Sequence, residues 1–148
     1  MVSVGVSRMG KTGVVFTEPG AKVNSDYYCQ QVLGKGLLPD IRRRCLRHNW
    51  VLQQDGASSR TARNTLSYLQ RENVAFIEPD MWPPNRPDLN PVDYAVWGAP
   101  QEKVYCGKSF ESIEQLMRAI VIAWSQLSQS FIDNSINEWR RRLECVVQ

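Results

Sequence analysis

Five of the chain's eight prolines fall between Glu78 and Pro91. Proline fixes φ and removes a backbone donor, so neither a helix nor an interior strand runs through such a stretch. With no apolar period of its own, it reads as an ordered loop rather than a linker. It also divides the pattern of the chain. Short apolar runs and helical periods alternate before it, and helical periods alone follow it. A length of 148 residues suffices for one domain with a real core.

Residues 1–17 read as a β-hairpin: Met1–Val6 and Gly13–Thr17 are β-like runs, joined by Ser7-Arg8-Met9-Gly10-Lys11 and stopped by Pro19-Gly20. Asn24-Ser25 then caps a helix to about Leu33, interrupted by Gly34 and Gly36. Pro39 opens another helical turn to about Cys45. A strand over 50–55 follows, then a helix from Ser58 or Ser59 to Glu72 with Ala62, Leu66 and Leu69 inward, then a short strand Val74–Ile77. After the loop, Asn90 caps a helix with Pro91 at its first position.

The last third is helical. Ser112-Ile113-Glu114-Gln115 resembles a capping box. Ile113, Leu116, Ile120, Trp124 and Leu127 form one stripe, and Ile132, Ile136, Trp139, Leu143 and Val146 a second. Both stripes suit packing onto the domain, and self-association or partner binding is the sharper reading. The whole is an α/β chain with three parts: a hairpin (1–17), an α/β part (24–98) and a helical part (109–148). A hairpin followed by βα units indicates a mixed sheet with helices on its faces.

At 43% hydrophobic and 22% charged, the composition is that of a globular domain, and the net charge of +3 is too mild to identify a partner. The arginines are nevertheless clustered: Arg42, Arg43 and Arg44, then Arg60 and Arg63, then Arg140, Arg141 and Arg142. Such clusters track a phosphate backbone or simply form solvated helix faces. Cys29, Cys45, Cys106 and Cys145 are scattered and His48 is the only histidine, which argues against a zinc site and for reduced thiols of an intracellular protein. No apolar run reaches membrane-spanning length and no signal-peptide pattern opens the chain.

Gly5-Val6-Ser7-Arg8-Met9-Gly10-Lys11-Thr12 matches the phosphate-loop pattern G-x-x-x-x-G-K-[ST]. A nucleotide site of that kind needs a helix directly after Thr12, whose amides hold the phosphates. The residues that follow, Gly13-Val14-Val15-Phe16-Thr17, are β-like, and a glycine-rich hairpin turn is the better reading.

Asp55 ends the strand-like run Trp50-Val51-Leu52-Gln53-Gln54, and Asp93 follows Pro87-Asp88-Leu89-Asn90-Pro91-Val92, with 37 residues between the two aspartates. Two carboxylates so delivered suit a divalent-metal site. Each also has a plainer reading: Asp55 as the polar end of a strand, Asp93 as an N-terminal helix residue, Asp88 as a turn residue. Gln53-Gln54-Asp55-Gly56-Ala57, with Trp82-Pro83-Pro84-Asn85-Arg86-Pro87-Asp88-Leu89-Asn90-Pro91-Val92-Asp93-Tyr94, resembles the catalytic domain of mariner-type transposases, members of the DDE/D superfamily with a ribonuclease-H-like fold. The resemblance implies that Asp55 and Asp93 are the second and third carboxylates of the catalytic triad. It implies two Mg²⁺ or Mn²⁺ ions for DNA cleavage and strand transfer, DNA as partner, and a nuclear location.

Two departures from the family stand out. The first aspartate of the triad belongs to a first strand upstream of the hairpin, and none of Glu18, Asp26 or Asp40 ends a suitable strand. The family often has a histidine soon after the second aspartate, where this chain has Arg60. The expectation is therefore a truncated ribonuclease-H-like sheet, catalytically impaired, without the helix-turn-helix that reads transposon ends. Without that first strand two unpaired edges remain, so either the remaining strands close the gap or the domain is unstable. What then survives is nonspecific nucleic-acid binding. The alternatives are an interaction or dimerisation module retained by a host, a relic without function and, remotely, a nucleotide binder.

Overall fold

The computed structural model describes residues 2–54, 57–81, 89–105 and 109–147. The chain divides into two compact units, one comprising Met1–Gly5 and Lys11–Arg86, the other Val6–Gly10 and Pro87–Gln148. Among the described residues, no helix is long and apolar enough to cross a membrane.

The hairpin forms as its pattern predicts. Strand β1 (Val2–Ser3) pairs antiparallel with β4 (Val15–Phe16), with Val2 opposite Phe16 and Ser3 opposite Val15. Between them β2 (Val6–Ser7) pairs with β3 (Gly10–Lys11). Gly10 takes φ 136°, a backbone conformation that only glycine adopts freely. The phosphate-loop pattern is thus spent on a turn. The Gly5 amide donates to Thr12 Oγ1 at 2.8 Å, and the Thr12 amide donates to the Gly5 carbonyl at 2.9 Å. The Thr12 hydroxyl in turn donates to the Gly13 carbonyl, and β4 rather than a helix comes next.

Asn24 then starts a long helical run, its Oδ1 accepting from the Tyr27 amide at 2.9 Å. Helix α1 (Ser25–Tyr27) passes into a π-helical segment (Tyr28–Leu37) and on into α2 (Leu38–Arg44). The Leu38 amide bonds to the Leu33 carbonyl, five residues back, which is π-helical spacing. Gly34 and Gly36, expected to break this helix, lie inside it. A Cβ at Gly36 would sit 2.7 Å from Val15 Cγ2, and one at Gly34 would sit 2.8 Å from the Tyr68 hydroxyl. The two glycines are surface pits that let the hairpin and a later helix approach the backbone. Tertiary packing therefore overrides their poor helix propensity, about 1 kcal/mol each.

The βα part closes around the same helix. Helix α3 (Ser58–Thr61) and helix α4 (Arg63–Arg71) stand where one helix was expected, because Ala62 is extended at φ −60°, ψ 145°. Asn73 ends α4 in the left-handed region at φ 57°, and the Val74 amide reaches back to the Leu69 carbonyl. This is the six-to-one closure of a Schellman turn, with Val74 as its buried apolar contact. The strands expected over 50–55 and 74–77 meet as a single parallel bridge, Leu52 opposite Phe76. The Leu52 amide donates to Ala75 O at 2.8 Å and the Ile77 amide to Leu52 O at 3.0 Å.

The sheet is mixed, as expected, but its pieces stay apart. Among the described residues no backbone pairing joins the hairpin to the Leu52–Phe76 bridge. Both lean instead on one core of Tyr28, Val32, Leu33, Leu37, Leu38, Leu69 and Val74, against which Val15, Trp50, Leu52 and Phe76 pack. A polar clamp reinforces this core. Asp40 accepts from the Gly13 amide (2.7 Å), from Arg43 Nη2 (2.6 Å) and from Arg44 Nε (2.9 Å). Partial burial pushes its carboxyl up, but the Gly13 amide and the two guanidinium groups together outweigh this and hold it below the usual carboxylate range.

In the second unit, Asn90 Oδ1 accepts from the Val92 amide at 3.1 Å and Pro91 is helical (φ −54°, ψ −33°), the predicted cap and first position. A π-helical turn (Val92–Val96) leads to α5 (Gly98–Tyr105). Helix α6 (Ile113–Ser125) begins at Ser112, whose Oγ accepts from the Gln115 amide. Gln115 returns a bond to the Glu111 amide, one residue before the position a strict capping box uses. Trp97 and Trp124, 5.9 Å apart, join the chain ahead of α5 to α6. Helix α7 (Gln129–Val147) buries Ile132 and holds the hairpin tip through Gln129 Nε2 to Ser7 O and Arg8 Nη2 to Asn137 Oδ1.

Gly36→Ala is expected to destabilise the protein by about 1–3 kcal/mol despite a better helix residue, since overpacking outweighs propensity. Adding Val15→Ala to that variant should restore part of the loss, as urea denaturation of the single and double variants would measure. The Asp40 clamp carries a pH signature. A depressed folded pKa makes its contribution full above the unfolded value of about 3.9 and lost as pH falls through the lower folded value. Asp40→Ala should therefore cost about 1–3 kcal/mol at neutral pH. The gap to the parent protein should narrow as pH falls below the unfolded carboxylate value, which unfolding midpoints measured from neutral to acid pH would show.

Candidate metal and nucleic-acid site

Asp55, and the loop residues Trp82–Asp88, lie outside the described residues, as does the side chain of Asp93. The elements that deliver the two aspartates are described, each within its own unit. Asp55 follows Gln53 and Gln54, which extend from the Leu52 bridge. Ala57, on its far side, starts α3 by accepting the amides of Arg60 (2.9 Å) and Thr61 (3.1 Å) at its carbonyl. The strand-then-helix setting expected around Asp55 is present on both flanks.

Asp93 is the third residue after Asn90, in the π-helical turn, and its neighbour Tyr94 fastens that turn. The Tyr94 hydroxyl donates to the Ser135 carbonyl, and the Arg142 guanidinium lies 3.9 Å from the centre of the Tyr94 ring. Burial raises the Tyr94 pKa against the lowering influence of Arg142, so the phenol remains a donor at neutral pH. Leu89 and Val96 are fully buried to either side. The backbone that carries Asp93 is thus held from both ends.

The arginine clusters separate into two kinds. Arg43 and Arg44 both bind Asp40, and Arg42 binds the Glu72 carbonyl at 2.8 Å and its carboxylate at 3.7 Å. Arg140 pairs with Glu144 at 3.1 Å and Arg142 with Glu138 at 3.4 Å, both one helical turn away. Exposed pairs of this spacing are worth about 0.3–0.5 kcal/mol, so they yield readily to a phosphate. Arg63 and Arg141 are exposed on α4 and α7. Arg60 has a separate task, its guanidinium lying 4.8 Å from the centre of the Tyr28 ring. The Tyr28 hydroxyl donates to Gln54 Oε1, a contact the sequence did not signal because 26 residues separate the partners.

The chain matches no protein-family model. It is 27% identical over 124 residues to the Tc3 transposable-element transposase of Caenorhabditis elegans, a match covering 83% of this chain and 36% of that protein. With the Tc1 transposase of the same organism it shares 26% identity over 98 residues, covering 66% of this chain and 34% of that protein. It therefore spans about a third of the length of these curated relatives. Among solved structures, the catalytic domain of Mos1 mariner transposase superposes with a TM-score of 0.83 at 23% identity, over 97% of this chain and 70% of that one. That Mos1 domain has also been solved with Mn and with Mg, and Mos1 as a strand transfer complex and in paired-end complexes. The resemblance read from the aspartate motifs is borne out: this chain is similar in sequence to the Tc1 and Tc3 transposases and has the ribonuclease-H-like α/β fold of the mariner transposase catalytic domain.

Proposed function

We propose that this chain is a DDE/D-transposase-type catalytic-domain fragment that binds DNA without sequence preference and contributes Asp55 and Asp93 as metal carboxylates. The fold match over 97% of the chain carries this reading, because it extends across the elements that deliver both aspartates. Hard carboxylate oxygens are the donors that Mg²⁺ and Mn²⁺ select, so the donor set fits such ions. When bound, they supply activation of the attacking oxygen and stabilisation of the leaving oxygen in phosphoryl transfer. The chain's own part is to present the two carboxylates, one directly following Gln54 in sequence and one in a helical turn anchored by Tyr94. The arginines of α2, α4 and α7 supply positive charge for the phosphate backbone.

The expected behaviour of the 148-residue protein is salt-sensitive DNA retention without strand cleavage. Arg63→Glu and Arg141→Glu should each weaken retention about equally on all sequences and flatten the log–log salt dependence by about 1. Incubation with supercoiled plasmid and Mn²⁺ tests the rest. Nicking that disappears in Asp55→Ala would overturn the inactive reading, and retention indifferent to salt would overturn the binding one.

Self-association is the second reading. On α6, Ile113 (54% exposed), Val121 (45%) and Ile122 (57%) face solvent instead of completing the core. If they form a contact between copies, Val121→Glu with Ile122→Glu should give a monomer in sedimentation velocity where the parent protein is a dimer. A monomeric parent protein would dismiss this reading.

A further inference from the structure

We propose that the Tyr28 hydroxyl and the Arg60 guanidinium are positioning groups that hold Gln54 and α3, the described flanks of Asp55. The inference rests on the reading of Asp55 as a metal ligand. Its ground is that described residues on both sides of Asp55 in sequence fasten to one ring. On the upstream side, Gln54 immediately precedes Asp55 and accepts the Tyr28 hydroxyl at Oε1. On the downstream side, Arg60 in α3 covers the face of the same ring, 4.8 Å from its centre.

Tyr28 is suited to such a task. It is 4% exposed, begins the π-helical segment and belongs to the core cluster, so its ring is fixed by the packing of the unit. A buried phenol needs a hydrogen-bond partner, and this one is satisfied by the residue next to the carboxylate. The parallel pairing that guides this strand is a single bridge at Leu52, two residues before Gln54. Beyond Leu52 the side-chain clamp continues what the sheet began. Groups behind a metal ligand of this kind set its orientation and hence the affinity of the site.

Tyr28→Phe keeps the ring, its packing and its contact with Arg60, and removes only the hydroxyl. Hydrogen–deuterium exchange in metal-free protein should show faster exchange confined to the peptide spanning residues 53–57, with the helix over 29–38 unchanged. Mn²⁺ titration followed by electron paramagnetic resonance should show affinity reduced about 10-fold, and Arg60→Gln should act in the same direction. Unchanged exchange at that peptide, exchange raised uniformly across the protein, or faster exchange with unaltered Mn²⁺ affinity would each overturn the proposal. Asp55→Ala separates the underlying reading. If that variant binds Mn²⁺ as the parent protein does, Asp55 is not a ligand and the metal reading fails by itself. The exchange result would still decide whether Tyr28 and Arg60 hold the flanks of Asp55.

Discussion

The structure of the first unit depends on how closely its neighbours approach one helix. Residues 25–44 form a continuous helical run, and its glycines leave two positions where nothing larger than hydrogen fits. Val15 fills one and the Tyr68 hydroxyl reaches the other, so hairpin and α4 are set against the helix backbone itself. Close packing at these two points substitutes for a continuous ladder of strands. The hairpin and the Leu52–Phe76 bridge never pair among the described residues, yet both are aligned because each packs on the same core. Interiors packed to crystal-like density transmit position in this way, since small displacements are strongly resisted.

Polar contacts then fix direction where apolar packing fixes distance. Asp40 ties Gly13, at the end of the hairpin turn, to the last turn of α2. Tyr28 ties the core to Gln54, and Tyr94 ties the turn bearing Asp93 to Ser135 in α7. In each case a buried or half-buried polar group spends its hydrogen bond on backbone or side chain far away in sequence. Such bonds contribute about 1 kcal/mol each in net terms, but leaving the buried group unpaired costs more, so they specify geometry beyond their stabilising value. Gln54 and Tyr94, the sequence neighbours of the two aspartates, are thus each anchored within their own unit.

The arginine clusters show why composition is a poor guide to binding. Arg42, Arg43 and Arg44 look like a basic patch in sequence, yet Asp40 and Glu72 lie within reach of all three. The positive field is accordingly smaller than the run of charge suggests. Arg60 reads in sequence as another basic residue and sits in fact on an aromatic face. Local sequence reports the charges but not the partners that balance them.

Much of the fold is legible in the sequence. Asn24, Asn90 with Pro91, and Ser112 mark helix starts because a side chain two or three residues away supplies the missing acceptor, a purely local event. The hairpin over the phosphate-loop pattern was legible for the same reason, as β-branched residues after Thr12 cannot open a helix there. The two apolar stripes marked the faces that bury Ile120 and Trp124 in α6 and Ile132 in α7, although Ile113 at the start of the first stays exposed. The aspartate motifs likewise identified the transposase resemblance, because they are short and contiguous. Three features were decided only by tertiary structure. The helix passes through Gly34 and Gly36 because Val15 and Tyr68 need the space, the expected single helix breaks at extended Ala62, and Tyr28 meets Gln54 and Arg60. The first and the last depend on residues brought together by packing across long separations, and no local propensity encodes which distant side chain will arrive.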